Sequence, residues 1–545
     1  MTINVTRPAF SAELEASYWA AGHWRKETLV DVARRRVAEN PQRSLVVEGD
    51  AVLTRQEAWT QSLRLAAFFR ARGLVSGDVI SFQLPNWSET VVIALAARML
   101  GLAINPIPPI YRESELTYIL QDCGSKLLLA PVSFRNYDYR AMLGKIRADV
   151  PALADIVYLR GDAGAELSWD AALATAPLVE AELPKIDPAA VMMVMYTSGT
   201  TGRPKGVLHT HNSYGYKARQ MGEFWGIGEA DVVFMPSPVT HISGAFWTFD
   251  ISWLQGPSTV LVDVWKPDEA IELIERNRCT VSGGATPFLQ QLMSAATQSP
   301  GALSSLRTFF CGGTTVSPDL IKKASATFPD CLFFRAYGST EMPTAAMGIR
   351  DRAFALQGAE TDGEIVAPVE IKIVDDSDHV VADGAEGEIL ARGPELFAGY
   401  MHAEDNASAF DAEGFFRMGD LGQRVHGNFL VITGRKKDII IRSGENISPK
   451  EVEDILLTHP AVEDVAIVAM PHAVTGEIGC AFLIPKAGQT IDMPEIQRHL
   501  AASGLARQKF PEHLVLTDEL PRVSSGKIKK DILRIKAREI ATGAK

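Results

Sequence analysis

The sequence predicts an α/β fold with a large N-terminal domain, residues 1–434, and a small α+β C-terminal domain, residues 435–545. Before residue 360, short β-rich segments alternate with helical segments, which is typical of βαβ units around largely parallel sheets. After it, short strands are joined by turns that contain Gly and Asp, which indicates a small antiparallel or barrel-like unit. A charged turn at 434–437 precedes a new α+β pattern, so we place the domain boundary there.

Each predicted element follows from its own pattern. Runs of β-branched and other apolar residues predict strands, and apolar residues three or four apart predict helices. In the N-terminal part the predicted strands are 78–83, 126–130, 156–159, 280–282 and 308–311, and the helices are 88–100, 267–277 and 287–296. The small unit has strands at 369–374, 386–391, 422–426 and 429–433. The C-terminal pattern is helix 450–458, strands 462–470 and 480–485, helix 493–503 and a basic tail.

Composition and charge exclude several classes of protein. Hydrophobic residues make up 46% of the 545 residues and charged residues 22%, which is the balance of a globular protein rather than a disordered or fibrous one. The 54 Lys and Arg against 66 Asp and Glu give a net charge of −12. That excess disfavours nucleic acid or an anionic membrane surface as the main partner.

The cysteines and the N-terminus predict a cytoplasmic protein. The cysteines are odd in number and widely spaced, which argues against a disulfide framework or structural zinc: Cys123, Cys279, Cys311, Cys331 and Cys480. The first 24 residues lack a basic start and a continuous apolar segment, so we predict no secretory signal. The most apolar stretch, 91–102, contains Arg98 and is too short to cross a bilayer, so no membrane span is expected.

The most informative segment is residues 196–207, YTSGTTGRPKGV, which follows the apolar run 191–195. Small and hydroxyl-bearing residues leave several backbone N–H groups accessible, and Lys205 adds a cation, so the loop is suited to a polyphosphate. It is not a Walker A loop, because Lys205 is followed by Gly206 and Val207 rather than by Ser or Thr.

This loop resembles the phosphate loop of the adenylate-forming superfamily, which includes acyl- and aryl-CoA synthetases, peptide-synthetase adenylation domains and firefly luciferase. Further motifs of that family appear in its order and spacing: YGSTE at 337–341, GFFRMGD at 414–420, TGRKKD at 433–438 and PRVSSGKIKK at 521–530. The chain departs from the family at 361–364, TDGE, where a G-x-x-G-x-P turn is usual. It is most similar in look to cyclohexanecarboxylate or medium-chain acyl-CoA ligases and to dihydroxybenzoate-AMP ligases.

The resemblance covers essentially the whole chain and implies a fold and a reaction. The implied fold is a large domain of two βαβ-type sheet subdomains plus a small β-barrel, followed by a small mobile α+β C-terminal domain. The implied reaction is attack of a carboxylic acid on the α-phosphate of ATP, which gives an acyl-adenylate, and transfer of the acyl group to coenzyme A. The implied nucleotide-binding residues are Thr197, Ser198, Gly199, Thr200, Thr201, Lys205, Gly312, Gly313, Tyr337, Gly338, Asp420, Ile432 and Arg435.

Several of these positions carry specific expected roles. By resemblance, Tyr337 stacks on adenine, Asp420 accepts hydrogen bonds from the ribose hydroxyls, and Thr340 donates to the α-phosphate. Glu341 is the expected Mg²⁺ ligand, since a hard cation prefers carboxylate and phosphate oxygens. The residues expected to act in catalysis are Lys527, His241, Thr340 and Glu341.

The C-terminal motifs imply that the small domain moves. Lys527 is expected to bridge the acid carboxylate and the α-phosphate in the first half-reaction, which requires the small domain to fold over the large one. Lys437 matches the hinge position of the family. Rotation there is expected to withdraw Lys527 and to bring a coenzyme A channel to the acyl-adenylate, formed by Lys436, Arg442, Ser443, Gly444 and Glu445.

The segment 238–247, PVTHISGAFW, matches the acyl-pocket motif of the family, in which His241 resembles an aromatic gate. Dihydroxybenzoate ligases have Asn directly after this His, whereas Ile242 stands here and cannot satisfy a buried phenol. We therefore predict an alicyclic, medium-chain or simple aromatic acid as substrate. The predicted pocket residues are His241, Ile242, Phe246, Thr286, Pro287, Met342 and Pro343.

Two enzyme functions stay open at this point. A free-standing acid–CoA ligase is favoured; a stand-alone acyl- or aryl-AMP ligase would instead load a carrier protein, and the yield of thioester with free CoA distinguishes the two. A nucleotide-binding regulator is disfavoured because Lys527, Glu341 and Asp420 are all retained, and a Ser–His–Asp hydrolase because no G-x-S-x-G elbow occurs. The predicted cofactors are ATP, Mg²⁺ and coenzyme A, and the sequence leaves a homodimer open.

Overall fold

Two mostly parallel sheets organise the N-terminal part of the computed structural model, which describes residues 10–197, 203–297, 301–314, 316–523 and 526–542. The seven-stranded sheet has the order Leu332–Ala336, Thr308–Gly312, Val281–Gly284, Val232–Met235, Ser258–Leu261, Ser44–Glu48 and Ala51–Thr54. Its last pair is antiparallel and the other pairs are parallel. The carboxyl ends of its parallel strands therefore meet at one edge, where α/β proteins place ligands.

The eight-stranded sheet carries the predicted phosphate loop. Its order is Gly399–Tyr400, Lys205–Thr210, Val191–Thr197, Ala103–Pro106, Val79–Phe82, Leu127–Pro131, Asp155–Leu159 and Leu167–Ser168. The strands Val191–Thr197 and Lys205–Thr210 are antiparallel, with Thr197 opposite Lys205. Thr197 and Lys205, which stand on either side of the predicted phosphate loop, are thus paired with each other in the sheet.

Helices cover the sheets and begin and end at residues suited to those positions. Thr54 and Glu57 form a capping box, since the Thr54 hydroxyl accepts from the Glu57 N–H at 3.2 Å and the Glu57 carboxylate accepts from the Thr54 N–H at 2.8 Å. The helices are Ala12–Ala20, Leu29–Glu39, Arg55–Ala71, Glu89–Leu100, Glu113–Asp122, Tyr139–Ile146, Trp169–Leu173, His211–Phe224, Ile242–Ala245, Ser252–Leu254, Pro267–Arg276, Thr286–Ala296, Pro318–Thr327, Ala355–Glu360, Ala403–Asn406, Pro449–Leu456, Met493–Ala502 and Lys530–Thr542. A π-helical turn, Phe246–Ile251, follows Ile242–Ala245.

The largest apolar cluster joins the two sheets through buried helices. Helix Glu89–Leu100 is buried from Thr90 onward and ends at Gly101, whose φ of 70° suits a left-handed helix cap. Leu45 and Val46 of the seven-stranded sheet and Ile80 and Phe82 of the eight-stranded sheet belong to the same cluster. Burial of this shared apolar surface fixes the two sheets relative to each other.

Two smaller units follow. A four-stranded antiparallel sheet has the order Glu370–Val374, Gly387–Arg392, Phe416–Val425 and Phe429–Arg435. The C-terminal sheet contains Glu445–Ile447, Ile440–Arg442, Gly476–Pro485 and Val462–His472, and His513–Leu516 also pairs with Gly476–Pro485. Between the two sheets lies one 3₁₀ turn, Lys436–Asp438. The division into domains 1–434 and 435–545 stays a prediction.

The structure confirms the predicted fold class, and it corrects several element boundaries. The strand predicted at 422–426 begins at Phe416, because residues 420–422, although they include Asp and Gly, pair with neighbouring strands. The basic tail forms helix Lys530–Thr542, whose Leu533 and Ala537 are buried against the C-terminal sheet. All five cysteines lie in the described ranges and are buried and free. Within those ranges, no helix has the length and apolar character needed to cross a membrane.

Candidate active site

Two neighbouring strands bring the predicted adenine-binding residues together. Gly312 and Ala336 are paired at the carboxyl ends of parallel strands, so Gly313 and Tyr337 follow at the same edge of the sheet. A Cβ on Gly312 would lie 2.5 Å from the Ala336 carbonyl oxygen, and a Cβ on Gly338 would lie 2.2 Å from the Thr344 nitrogen. Glycine is therefore required at both positions by the close approach of backbone.

Asp420 connects Tyr337 to Arg435. The Tyr337 hydroxyl donates to Asp420 Oδ2 at 2.6 Å, and Arg435 Nε donates to Asp420 Oδ1 at 2.8 Å. Burial and then the Asp420 carboxylate raise the pKa of Tyr337, so its hydroxyl stays protonated and donates. The Asp420 carboxylate raises the pKa of Arg435, which strengthens their pairing. The network orients a carboxylate, an aromatic ring and a guanidinium around one place, as a ribose and adenine site requires.

Glu341 is buried and held on one oxygen. The Tyr400 hydroxyl donates to Glu341 Oε1 at 2.9 Å, and the Thr197 hydroxyl donates to the same atom at 3.5 Å. In the described part of the chain no side-chain hydrogen bond reaches Oε2, so that atom suits a cation. Those ranges also hold no cluster of three or more His, Cys, Asp or Glu side chains able to bind a metal. A Mg²⁺ at Glu341 would therefore complete its coordination with phosphate and water oxygens.

Thr340 lies between Glu341 and a buried histidine. His209 Nε2 is 2.7 Å from the Thr340 carbonyl oxygen. Burial lowers the pKa of His209 to about 4, so the imidazole is neutral and its Nε2–H donates to this carbonyl. This bond fixes the backbone on which the Thr340 hydroxyl and the Glu341 carboxylate are presented.

Lys205 lies opposite Thr197 and is held by acidic and aromatic neighbours. Its ammonium is 3.1 Å from Asp405 Oδ1 and 5.0 Å from the centre of the Tyr400 ring. Lys205 and Thr197 therefore reach the same Tyr400–Glu341 neighbourhood from two strands. The predicted phosphate-binding residues Ser198, Gly199, Thr200 and Thr201 lie outside the described residues.

The loop that carries Lys527 lies on the large N-terminal part. A Cβ on Gly526 would be 3.5 Å from both Ala285 Cβ and Pro287 Cγ. Arg435 first, and then crowding by protein atoms, lowers the pKa of Lys527 to about 8, whereas Asp420 opposes the shift. Lys527 nevertheless stays exposed to solvent. Lys527 is thus within electrostatic reach of the Tyr337–Asp420–Arg435 network.

His241 links Lys527 to the predicted acyl pocket. Burial and then the Lys527 ammonium lower the pKa of His241 to about 4, so the imidazole is neutral near pH 7. Its Nδ1 accepts a hydrogen bond from the Ser243 N–H at 3.3 Å, which caps the short helix Ile242–Ala245. A Cβ on Gly313 would lie 4.0 Å from His241 Cε1, so the glycine edge and this imidazole face each other.

Apart from Thr286, the other predicted pocket residues are apolar, and most of them are buried. Ile242 is 6% exposed, Phe246 1% and Met342 0%. The Phe246 ring stacks on Tyr214 with centroids 3.9 Å apart, which fixes this wall. Thr286 and Pro287 begin the helix under Gly526, and the Thr286 hydroxyl is 2.9 Å from the Thr314 hydroxyl. Pro343 follows Met342 and is buried as well.

The described contacts of the predicted coenzyme A channel residues are with other parts of the protein than the Tyr337–Asp420–Arg435 network. Arg442 Nε donates to Glu512 at 2.7 Å, within the C-terminal sheet, and the Ser443 N–H donates to the Thr475 carbonyl at 2.8 Å. Gly444 and Glu445 continue the same hairpin. Lys436 pairs with Glu388 of the four-stranded sheet at 2.9 Å. Among the described residues, the electrostatic coupling thus connects Lys527, and not this hairpin, to the predicted nucleotide site.

Sequence reasoning missed several residues that hold the site. Tyr400 and Asp405 position Glu341 and Lys205, although neither lies in a motif that we had singled out. Asp362, in the segment that departs from the family, accepts from the Ile432 N–H at 2.8 Å and from Arg335 at 2.6 Å. The departure from the family at 361–364 could have pointed to Asp362, because Arg335 is buried on a strand and a buried arginine requires a nearby carboxylate.

Comparisons with known proteins identify the family of this chain. The family described as "AMP-binding enzyme" matches residues 33–401, and "AMP-binding enzyme C-terminal domain" matches residues 451–527. The chain is 36% identical over 532 residues to the medium-chain fatty-acid–CoA ligase of Escherichia coli (strain K12), covering 96% of this chain and 93% of that one. It is 30% identical over 532 residues to the 2,3-dihydroxybenzoate-AMP ligase of Bacillus subtilis (strain 168), covering 96% of each.

Solved structures with the same fold include ATP-bound MatB from Rhodopseudomonas palustris, with a TM-score of 0.83, 26% identity, and coverage of 94% of this chain and 99% of that one. The anthranilate CoA ligase AuaEII in complex with anthranoyl-AMP has a TM-score of 0.86 at 23% identity, with coverage of 95% and 98%. The resemblance drawn from five motifs is confirmed over 96% of the chain. This chain belongs to the AMP-binding enzyme family and is an adenylate-forming acid ligase.

Proposed function

We propose that this enzyme activates an apolar carboxylic acid with ATP and transfers the acyl group to coenzyme A. The observation that carries the proposal is that Gly526, next to Lys527, packs on Ala285 and Pro287 of the N-terminal part, where the Lys527 charge couples to Arg435, Asp420 and His241. A cation from the C-terminal part thereby stands between the predicted ribose site and the predicted acid site. That is where an attacking carboxylate and an α-phosphate need a shared positive charge.

In the first half-reaction a carboxylate oxygen of the acid attacks the α-phosphorus of ATP. The bond from that phosphorus to the bridging oxygen of the β-phosphate breaks, and pyrophosphate leaves with the electron pair. Lys527 stabilises the charge that gathers on the attacking and α-phosphate oxygens, and Thr340 donates to the same phosphate. Mg²⁺ at Glu341, when bound, would neutralise phosphate charge. His241 is neutral, so it forms part of the pocket wall without repelling Lys527.

In the second half-reaction the sulfur of coenzyme A attacks the acyl carbonyl carbon. The bond from that carbon to the phosphate oxygen breaks, AMP leaves, and the thiol proton is lost to solvent. The hairpin at Arg442–Glu445 would line the thiol path. It turns through Ser443 and Gly444, with φ values of 52° and 86°, as a tight two-residue turn requires.

The contacts around Lys437 support a hinge at that residue. On one side Lys436 is anchored to Glu388 of the four-stranded sheet, and on the other Asp438 pairs with Arg534 of the last helix. Rotation at Lys437 would leave the first pair on the large part and carry the second with the small part. Neither of these two ion pairs has to break when the chain rotates at Lys437.

The pocket lining supports an alicyclic, medium-chain or simple aromatic acid. Ile242, Phe246 and Met342 offer no polar atom to a hydroxyl on the substrate, and burial of an unpaired hydroxyl is costly. A medium-chain fatty-acid–CoA ligase among the relatives supports the same class. Use of Mg²⁺, a cytoplasmic location and a homodimer stay predictions.

A second candidate is a stand-alone ligase that loads the acyl group onto a carrier protein. Its support is the 30–31% identity over nearly the full chain to ligases named for aryl-AMP formation. Both candidates share the first half-reaction, so only the acceptor separates them.

One experiment tests both candidates. Pyrophosphate release from ATP would be measured over a panel of cyclohexanecarboxylate, medium-chain fatty acids, benzoate, salicylate and 2,3-dihydroxybenzoate, with and without CoA, and products would be separated by chromatography. We expect release that depends on an apolar acid, and an acyl-CoA product when CoA is present. Acyl-AMP that accumulates beside unreacted CoA would favour the carrier-protein function. ATP left intact with every acid would reject both.

A further inference from the structure

The C-terminal half of helix Glu113–Asp122 contacts the chain on both sides of the predicted phosphate loop. The Tyr196 hydroxyl, one residue before Thr197, donates to Asp122 Oδ2 at 2.6 Å. One helical turn earlier, the Tyr118 hydroxyl donates to the Pro204 carbonyl at 3.2 Å, one residue before Lys205. The rings of Tyr118 and Tyr196 also pack edge to face, with centroids 6.4 Å apart. The C-terminal half of this helix thus holds the chain just before and just after the predicted phosphate loop.

The second oxygen of Asp122 reaches a different segment. His402 Nε2 lies 2.7 Å from Asp122 Oδ1, and because an ionised carboxylate only accepts, the imidazole donates. His402 precedes helix Ala403–Asn406, in which Asp405 pairs with Lys205. Two residues before His402, the Tyr400 hydroxyl bonds to Glu341. The Asp122 carboxylate therefore fixes the segment that holds both the phosphate-loop lysine and the predicted metal ligand.

The Asp122 carboxylate is suited to hold these segments because it is almost fully buried and accepts two hydrogen bonds. Its side chain is 8% exposed, and it accepts one bond on each oxygen. Burial, followed by the neighbouring acidic groups, raises the pKa of Tyr196, so this hydroxyl stays a donor. Hydrogen bonds to a charged group in a poorly hydrated place are stronger than neutral ones.

We propose that Asp122, Tyr118, Tyr196 and His402 form a phosphate-loop clamp that positions Lys205, Thr197 and Glu341 for the triphosphate of ATP. None of the four clamp residues touches a reacting atom, so they are positioning residues. The inference rests on the proposed function, because the clamp acts on the triphosphate of ATP. The acid and the thiol are bound by other parts of the site.

The clamp predicts a selective defect when Asp122 is changed to Asn. An amide presents one acceptor and one donor, so it cannot accept from both Tyr196 and His402. We expect the KM for ATP to rise about tenfold, in line with partial loss of a charge-assisted hydrogen bond. The KM for the acid and the rate of thioester formation from preformed acyl-AMP should stay within about twofold, since neither step uses the triphosphate. Tyr196→Phe and His402→Gln should each give part of the effect and should not add in the double variant.

A matched control separates positioning from general destabilisation. Asp231 is also a nearly buried carboxylate that accepts from a hydroxyl and an arginine, Thr280 and Arg307, but it lies at the amino ends of the seven-stranded sheet. Asp231→Asn should lower the thermal unfolding midpoint with no change in the KM for ATP. An equal rise in the KM for ATP in both variants would overturn the proposal.

Direct binding of ATP without acid, measured by calorimetry, keeps this test independent of the reaction. We expect weaker ATP binding by Asp122→Asn than by wild type. Unchanged ATP affinity in a folded Asp122→Asn protein would overturn the clamp even if the enzyme is an acid ligase. Wild-type protein that binds ATP but releases no acid-dependent pyrophosphate would overturn the proposed function while leaving the clamp supported.

Discussion

Replacement of Lys527 by Ala tests the proposed reaction most directly. The substitution removes one cation from a site that keeps two others, Lys205 and Arg435. Loss of a single electrostatic stabiliser of a transition state slows reactions by about 10²–10³, or roughly 3–4 kcal/mol. We expect the lower end, about 10², because the remaining cations still bear on the phosphates.

The pH of the assay is chosen from the pKa of Lys527. With a pKa lowered to about 8, roughly nine molecules in ten carry the ammonium at pH 7, so the wild-type rate there reports the charged form. The first half-reaction would be followed as acid-dependent exchange of pyrophosphate into ATP. The second would be followed as thioester formation from preformed acyl-AMP and CoA, where we expect a change of no more than about threefold because the cation acts on the triphosphate step.

The control is Lys536→Ala, which removes a cation from the exposed side of helix Lys530–Thr542. It should leave both half-reactions unchanged. Equal losses in the two half-reactions of Lys527→Ala would refute the assigned role, since a bridge between carboxylate and α-phosphate serves only the first. A loss below about threefold in adenylation would refute it as well.

The remaining predictions concern the charge of Lys527, the hinge and the pocket. In wild type, kcat/KM for adenylation should fall as the pH rises through about 8, because the free enzyme loses the Lys527 proton there. A pH-rate series on Lys527→Ala should lack this fall above pH 8. If the fall persists in that variant, it would count against the assignment. Lys437→Pro should keep the rate of adenylation within about threefold but slow thioester formation at least tenfold, because the fixed φ of proline restricts rotation at the hinge. Unchanged overall turnover in this variant would contradict the hinge assignment. Ile242→Asn should raise the kcat/KM ratio of salicylate over cyclohexanecarboxylate by about tenfold or more, since an amide can pair with a buried hydroxyl, and an unmoved ratio would remove Ile242 from the acid site.

Sequence patterns predicted those parts of the fold whose signal is local. Buried runs such as 127–131 and the helix at 89–100 show their periodicity within a few residues, and both appear close to the expected bounds. The strand Phe416–Val425 was predicted short because Gly419, Asp420 and Gly422 disfavour a strand locally, and pairing on both sides outweighs that preference.

The site was predictable where chemistry is concentrated in a motif and not where it depends on distant pairing. The segments around Tyr337 and Asp420 were singled out separately, and their 2.6 Å hydrogen bond joins them in space. The bond between Asp122 and His402, by contrast, spans 280 residues and involves common residue types outside any motif. Such a contact becomes visible only once the sheet has brought its strands into register.

The electrostatics of Lys527 couple the chemistry to the position of the C-terminal part. Arg435 is the first cause of the lowered pKa, so in the absence of nucleotide the two cations repel each other in the closed arrangement. A bound triphosphate places negative charge between them and reverses the sign of the interaction, which favours closure and a protonated lysine. Departure of pyrophosphate removes most of that negative charge, and the repulsion returns. In the proposed reaction, the charge that assists formation of the adenylate would thus disfavour the closed arrangement once the adenylate has formed. If Lys437 is the hinge, as proposed, withdrawal of Lys527 would then be favoured when the thiol needs access.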